Sequence, residues 1–314
     1  MNSRRNFLKS SAGLAATWAA GPRAGASAPP AAALPTVRLG DMEISRLVIG
    51  QNPFYGGSHF TPILDRLMAE WFTPEQVCQT LLECQQNGIK TYQFTSHVEK
   101  VPATGRSIAD LELFRSRGGK MNLIVLDYAG APAEESLELL RRVGGRAIYH
   151  HGERTDVLFS SGQMDQVQEY TKKMRQAGVL VGIGTHKPEV VEYAEERGWD
   201  VDFYMLSAYN RTRSPEELRK LLGGLPVPAN EFYLSTDPPH AYQVARQTSK
   251  TCFLFKILAA GRSARSPEQV DAAFTEALTS IKPQDCIVVG MFPRFQNQVR
   301  ENCDRVRKIL NANG

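Results

Sequence analysis

The chain has 314 residues, with 37 lysines and arginines against 33 aspartates and glutamates and a formal net charge of +4. Four of the basic residues, Arg4, Arg5, Lys9 and Arg23, lie within residues 1–26, which hold no acidic residue; the rest of the chain is balanced at 33 to 33, which leaves no basic surplus to argue for a nucleic-acid partner. The apolar run near the start is too short and too rich in alanine to span a bilayer, which takes about 20 strongly apolar residues, and no later segment qualifies, so no stable membrane anchor is expected.

Residues 1–26 run from Ser3-Arg4-Arg5-Asn6-Phe7-Leu8-Lys9 through a mildly apolar stretch, Ser10 to Ala20, to the small residues Ala24-Gly25-Ala26. A charged region, an apolar region and a small-residue zone, in that order, read as a cleavable export signal. The arginine pair followed by Phe7-Leu8-Lys9 resembles the twin-arginine motif. That resemblance implies the twin-arginine export machinery as a partner, transport of an already folded chain, and a periplasmic or secreted destination. Residues 27–36 continue an alanine-, proline- and glycine-rich stretch that cannot build a core and read as a flexible linker. Order is expected from Val37, and residues 37–314 read as one domain.

From there, short β-branched or apolar runs alternate with helical patterns of roughly 10–15 residues, the arrangement of repeated βα units. Strands are expected at Leu47 to Gly50, Thr91 to Thr95, Leu123 to Tyr128, Ala147 to His150, Leu180 to Gly184, Phe203 to Ser207, Phe253 to Leu258 and Ile287 to Gly290. Eight strands are the number a closed parallel barrel needs, so the predicted fold is α/β, a single-domain (β/α)8 TIM barrel. The competing open sheet is disfavoured because no strand leads into a GxGxxG turn. Thr73-Pro74-Glu75-Gln76, Ser214-Pro215-Glu216-Glu217 and Ser266-Pro267-Glu268-Gln269 each offer a hydroxyl cap, proline at the first helical position and an acid or amide three residues past the cap. The segment from Gly223 to Ser249 fits an extra strand or an active-site loop equally well. Five cysteines, Cys78, Cys84, Cys252, Cys286 and Cys303, show no CxxC spacing. Cys78 and Cys84 lean to opposite sides of one helix, and Cys252 and Cys286 lie in or beside strand runs, so no disulfide framework is expected.

In such a barrel the chemistry sits at the carboxyl ends of the strands. The residues there are Gln51 and Asn52 with His59 beyond them, Gln93 and His97, Asp127 and Tyr128, His150, His151 and Glu153, Thr185 and His186, Ser207, Tyr209 and Asn210, Lys256, and Arg294. Five of the six histidines fall on this rim, and their gathering there marks it as a candidate active site.

Val37-Arg38-Leu39-Gly40, Ile44 to Gly50, Gly182 to Val190, Phe255 to Arg262, and Ile287 to Met291 continuing to Gln298-Val299-Arg300-Glu301-Asn302 resemble the corresponding segments of aldo/keto reductases. The resemblance spans most of the chain beyond the signal. It implies hydride transfer between NADP and a carbonyl or sugar substrate, with a tyrosine proton donor supported by lysine, aspartate and histidine. Position by position, His151 falls at the histidine, Gln93 at the aspartate, His97 or Val98 near the tyrosine, and Asp127 near the lysine. Gly184-Thr185 replaces the serine-asparagine pair that holds the nicotinamide. Lys256, Arg294, Gln298, Glu301 and Asn302 match the grip on the adenosine phosphate, where a helix start already favours an anion. Without the tyrosine and lysine, the standard reduction would slow by roughly two to four powers of ten.

Three readings follow. The first is an exported, NADP-dependent oxidoreductase with His151 or His97 as proton donor. The second is a nicotinamide-free lyase, isomerase or hydrolase for a sugar-like substrate, with or without a divalent metal on the rim histidines, Asp127 and Glu153. The third is a binding protein on an inactive barrel. The residue pattern fixes no metal ligand.

Overall fold

The computed structural model describes residues 33–95, 106–127, 132–227 and 231–312. The first described elements are β1 (Thr36–Leu39) and β2 (Met42–Ser45), an antiparallel hairpin turning at Gly40-Asp41 with Gly40 at φ +59°. Eight further strands are parallel: β3 (Leu47–Gly50), β4 (Thr91–Phe94), β5 (Asn122–Leu126), β6 (Ala147–His150), β7 (Leu180–Thr185), β8 (Phe203–Ser207), β9 (Thr251–Phe255) and β10 (Cys286–Gly290). They close in the order β10-β3-β4-β5-β6-β7-β8-β9, which is the (β/α)8 barrel expected from the alternation.

The helices are α1 (Pro62–Trp71), α2 (Pro74–Gln86), α3 (Ser107–Ser116), α4 (Ala133–Arg142), α5 (Gly152–Ser160), α6 (Met164–Gln176), α7 (Pro188–Glu196), α8 (Pro215–Leu222), α9 (Asp237–Gln247), α10 (Pro267–Ser280) and α11 (Gln298–Asn311). Local chemistry sets several starts. The hydroxyls of Thr73, Ser214 and Ser266 accept the backbone N–H groups of Gln76, Glu217 and Gln269. The Glu217 carboxylate returns a bond to the Ser214 N–H, completing a capping box. Each such cap contributes about 1 kcal/mol.

Strand alternation divides the core in two. Leu47, Ile49, Tyr92, Phe94, Val125, Ile148, Val181, Ile183, Tyr204 and Leu254 point outward beneath the helices. Val48, Ile124, Tyr149, Phe203, Met205, Phe253 and Val288 fill the lumen, and Leu39, Met42 and Ile44 of the hairpin join this inner cluster. Gly182 makes room for it: a Cβ there would lie 2.4 Å from the Phe203 ring. The lumen is therefore packed, and the hairpin takes part in that core.

Three expectations need correction. β9 ends at Phe255 and not at Leu258, because Lys256 takes φ +62° and the chain leaves the sheet. β5 ends at Leu126, one residue before Asp127, whose N–H still donates to the Tyr149 carbonyl; Tyr128 lies outside the described residues. Between Gly223 and Ser249 there is no extra strand among the described residues: 231–236 form irregular structure and Asp237–Gln247 form α9. The five cysteines are free and buried. No helix among the described residues is long and apolar enough to cross a membrane. The proposed signal and most of the linker fall outside the described residues.

Candidate functional site

The rim residues divide by the direction in which their strands point them. Gln93 shares the face of Thr91 and bonds the Tyr149 hydroxyl inside the barrel. Burial pushes the Tyr149 phenol well above its ordinary range, the opposite of what a phenolic proton donor needs. Asp127 points the other way, with the outward set of Val125. Its Oδ1 accepts from the Ser136 hydroxyl of α4 at 2.9 Å, and its carboxylate takes the His151 N–H. Burial raises the Asp127 pKa to about 7, against those two hydrogen bonds. Asp127 and Gln93 thus occupy opposite sides of the barrel wall.

The histidines do not converge as a set. His150 faces outward with Ile148; its Nδ1 lies 2.7 Å from the Thr155 hydroxyl, its ring meets Tyr170 edge-on, and burial lowers its pKa to about 3. His151 caps α5, its Nδ1 accepting the Arg154 N–H at 3.4 Å. His97 lies outside the described residues. Among the described residues no three histidine, cysteine or acidic side chains converge as a metal site.

A different group assembles where β7, β8 and β9 end. His186, the residue after β7, follows the inward parity of Gly184, and its ring stands edge-on to Phe255 at 5.3 Å. Its Nδ1 donates to Asp156 Oδ2 at 2.8 Å, and its backbone N–H reaches the same carboxylate at 3.1–3.2 Å. Asp156, on α5 and 1% exposed, also accepts from the hydroxyls of Thr185 at 2.5 Å and Thr212 at 3.2 Å. Four donor groups therefore fix one buried carboxylate, and the carboxylate fixes the imidazole. With Nδ1 so held, the neutral ring leaves Nε2 to accept or return a proton. Burial lowers the His186 pKa, with Asp156 opposing, which keeps the ring neutral at physiological pH.

Lys256 lies beside this pair. Six residues are its electrostatic neighbours: Arg211 after β8, Glu231 before α9, Arg262 after β9, Glu153 of α5, His186 after β7 and His59 after β3. Glu231 is already saturated. Its Oε1 lies 3.0 Å from both His59 Nδ1 and Arg211 Nη2, and its Oε2 accepts from the Tyr233 hydroxyl at 3.0 Å. Burial opposes its ionisation, but the His59 hydrogen bond and the nearby cations outweigh that and bring its pKa to about 2. Arg262 donates to the carbonyls of His59 and Glu231 and lies over the Tyr233 ring at 4.4 Å. Two donors remain unspent: the Arg211 Nε–H is buried without a partner, and among the described residues the Lys256 nitrogen has no hydrogen bond or ion pair. Burial, then Arg211, lowers the Lys256 pKa to about 7.

Asp156, Arg211, Arg262 and Glu231 were absent from the sequence-derived set. Asp156 had a signal, lying one helical turn beyond His151 and Gly152 at the head of α5; Arg211 opens the Arg211-Thr212-Arg213 run after a strand. Glu231 had none, since its partner His59 is 172 positions away.

The expected phosphate grip is disposed differently. Gln298 Oε1 accepts the Phe292 N–H at 2.7 Å, bracing the loop between β10 and α11. Asn302 Oδ1 accepts from Arg305, which also lies 3.6 Å from Glu301. The Asn297 side-chain Oδ1 caps α11 by accepting the Arg300 N–H at 2.9 Å. Arg294 is exposed over Phe295. Thr185, in the nicotinamide-holding position, spends its hydroxyl on Asp156 and the Lys187 carbonyl. Gln298 and Asn302 thus spend acceptor oxygens within the chain, while Lys256 and Arg294 make no hydrogen bond or ion pair among the described residues; donors for a phosphate remain, whereas the position expected to hold the nicotinamide has spent its hydroxyl. Two open depressions lie elsewhere on the barrel, the smaller bordering the rim at Ser207 and Asn210. One of about 760 Å³ is at the hairpin end, lined by charges that pair across it, Lys90 with Glu43 and Arg146 with Asp41; the other, of about 190 Å³, lies between α7, α8 and α9.

No family model matches the chain, and no curated protein matches it in sequence. Among solved structures, it is similar to the glycerol dehydrogenase AKR11B4 from Gluconobacter oxydans, with 12% identity over 88% of this chain and 94% of that one and a TM-score of 0.52. It is also similar to dihydropteroate synthase from Xanthomonas albilineans, with 12% identity, coverage of 90% and 99%, and a TM-score of 0.48. At 12% identity the likeness to the dehydrogenase shows a shared barrel fold alone.

Proposed function

We propose that this chain is an enzyme that moves protons on a small anionic or sugar-like carbonyl compound at the β7–β9 rim, as a nicotinamide-free isomerase or lyase. The single observation that carries this reading is the Asp156–His186 pair. A buried carboxylate holding Nδ1 of a neutral imidazole is the arrangement that prepares Nε2 to take a proton and give it back. Arg211, with an unspent Nε–H, and Lys256 supply positive charge to hold a substrate anion and to stabilise the oxyanion left when a proton departs from the carbon beside a carbonyl. Glu231 orders these cations and is no base, since its oxygens are occupied.

The test is solvent exchange. The purified protein is incubated in heavy water with hydroxyaldehydes, ketoses and 2-oxo acids, and loss of the C–H signal beside the carbonyl is followed by NMR. The reading expects at least one compound to exchange or convert, and His186→Asn to slow it by about 10²–10⁴-fold. Exchange at an unchanged rate in that variant refutes it.

A second reading, the NADP-dependent reductase, is favoured by exposed Arg294 on the loop leading into α11. Titration calorimetry decides it: binding of NADP(H) below millimolar, lost in Arg294→Ala, supports it, and absence of heat at millimolar cofactor removes it. Export through the twin-arginine route is also proposed, on Arg4-Arg5 with Phe7-Leu8-Lys9. Replacing both arginines by lysine is expected to leave the protein in the cytoplasmic fraction; unchanged export contradicts the proposal.

A further inference from the structure

We infer that Lys256 is a nucleophile that forms an imine with the carbonyl carbon of an anionic substrate, of the 2-oxo acid class. This deepens the reading above and rests on it for the placing of the substrate.

Three geometric observations lead to Lys256. First, it is the one member of its charged cluster with no hydrogen bond or ion pair among the described residues, its nitrogen lying 6.0 Å over the Phe255 ring: Glu231 is shared by His59, Arg211 and Tyr233, Glu153 lies 3.7 Å from Arg211, and Arg262 is spent on carbonyls and rings. A lysine kept for charge balance would sit on Glu231. Second, its backbone is strained. Lys256, Ala259 and Ala260 all take positive φ, at 62°, 48° and 52°, within five residues and with no glycine among them. Such conformations cost of order 1 kcal/mol or more each and gather where function fixes a side chain. Third, the ring of His186, with its proton-carrying Nε2, and the unspent Nε–H of Arg211 belong to the same group. A nucleophile, a proton carrier and an anion donor are what imine formation with a keto acid requires.

The step balances. The Lys256 lone pair attacks the carbonyl carbon, the π electrons move to oxygen, and His186 relays the proton lost by nitrogen to that oxygen. The hydroxyl then leaves as water with the remaining N–H proton, giving a neutral imine; one proton taken from solvent through His186 makes it an iminium, while the substrate's carboxylate stays against Arg211. No oxidant or cofactor is needed. Desolvation beside two arginines keeps a substantial fraction of the amine unprotonated near neutral pH, as the nucleophile must be.

The experiment is borohydride trapping on the full-length protein. With pyruvate and sodium borohydride, the peptide containing Lys256 is expected to gain the mass of pyruvate less one oxygen atom. Capture should rise as pH passes upward through about 7, and pyruvate should outcompete uncharged acetone by about ten-fold, the effect of roughly 1.4 kcal/mol from its carboxylate against Arg211. Lys256→Arg should abolish the adduct while circular dichroism stays unchanged. Labelling of Lys256 no greater than that of exposed Lys172 and Lys173 overturns the inference. The outcomes separate it from the reading it rests on. Proton exchange that persists in Lys256→Arg leaves His186 catalysis standing without the imine; an adduct on Lys256 with no exchange by any compound keeps the imine and removes the proposed activity.

Discussion

Asp156→Asn is the sharpest single test of how the rim is organised. The wild-type carboxylate receives the Thr185 hydroxyl and the His186 N–H on Oδ1, and the His186 N–H, Nδ1–H and Thr212 hydroxyl on Oδ2. An amide has the same shape but turns one acceptor into a donor. If the NH₂ takes the Oδ2 place, it faces Nδ1 and forces the imidazole into the other tautomer, with the proton on Nε2. If it takes the Oδ1 place, it faces the His186 N–H. Either way one or two bonds to a buried charged acceptor are lost, at about 1.5–3 kcal/mol each, so a stability loss of about 2–4 kcal/mol is expected in urea unfolding. The exchange rate should fall by about 10²–10⁴-fold at denaturant-free conditions where the variant remains folded. Histidine ¹⁵N NMR should show the changed tautomer in the first placement and the original one in the second. A variant destabilised as expected but exchanging within about two-fold of wild type would refute a catalytic use of the pair and leave Asp156 as a structural anchor.

Other outcomes follow from buried titrating groups and from packed positions. Asp127 has a folded pKa of about 7, above its unfolded value, so the stability it supports is full below about pH 4 and is lost as pH rises through 7. Asp127→Asn should remove that decline, with a relative gain at pH 8 of at most about 4 kcal/mol, and parallel pH profiles for the two proteins would contradict this. Lys256 has the opposite sign: its folded pKa lies below its unfolded one, so it penalises folding most below pH 7 and progressively less above. Lys256→Met should therefore raise the melting temperature at pH 6 and lose that advantage toward pH 10; a constant difference would speak against a desolvated amine. Gly182→Ala drives a methyl into Phe203 and should cost about 1–3 kcal/mol in chemical unfolding, whereas an unchanged midpoint would mean the lumen is looser than the geometry implies.

How much of this was legible in the sequence depends on whether the cause was local. The helix starts at Thr73, Ser214 and Ser266 were readable because a cap is made by residues three apart. All eight barrel strands were readable because their apolar runs are bounded by turn chemistry. The end of β9 was not, since Ile257 and Leu258 continue an apolar run and nothing in their composition announces the positive φ at Lys256. The site was legible as a rim but not as a constellation. His150 and His151 are adjacent in sequence, yet one is buried beneath the helices and the other caps α5; only strand parity tells them apart. Asp156 and Glu231 act through partners 30 and 172 positions away, a distance at which only the closed barrel brings residues together.

The most direct test of the central claim is a crystal structure of the full-length protein with whichever carbonyl compound exchanges fastest. The account predicts density at the ends of β7–β9, with the carbonyl oxygen in hydrogen-bond reach of His186 Nε2 and the substrate's anion against Arg211 and Lys256. Density seated instead on the loop before α11, with the His186 mouth holding only water, would contradict it.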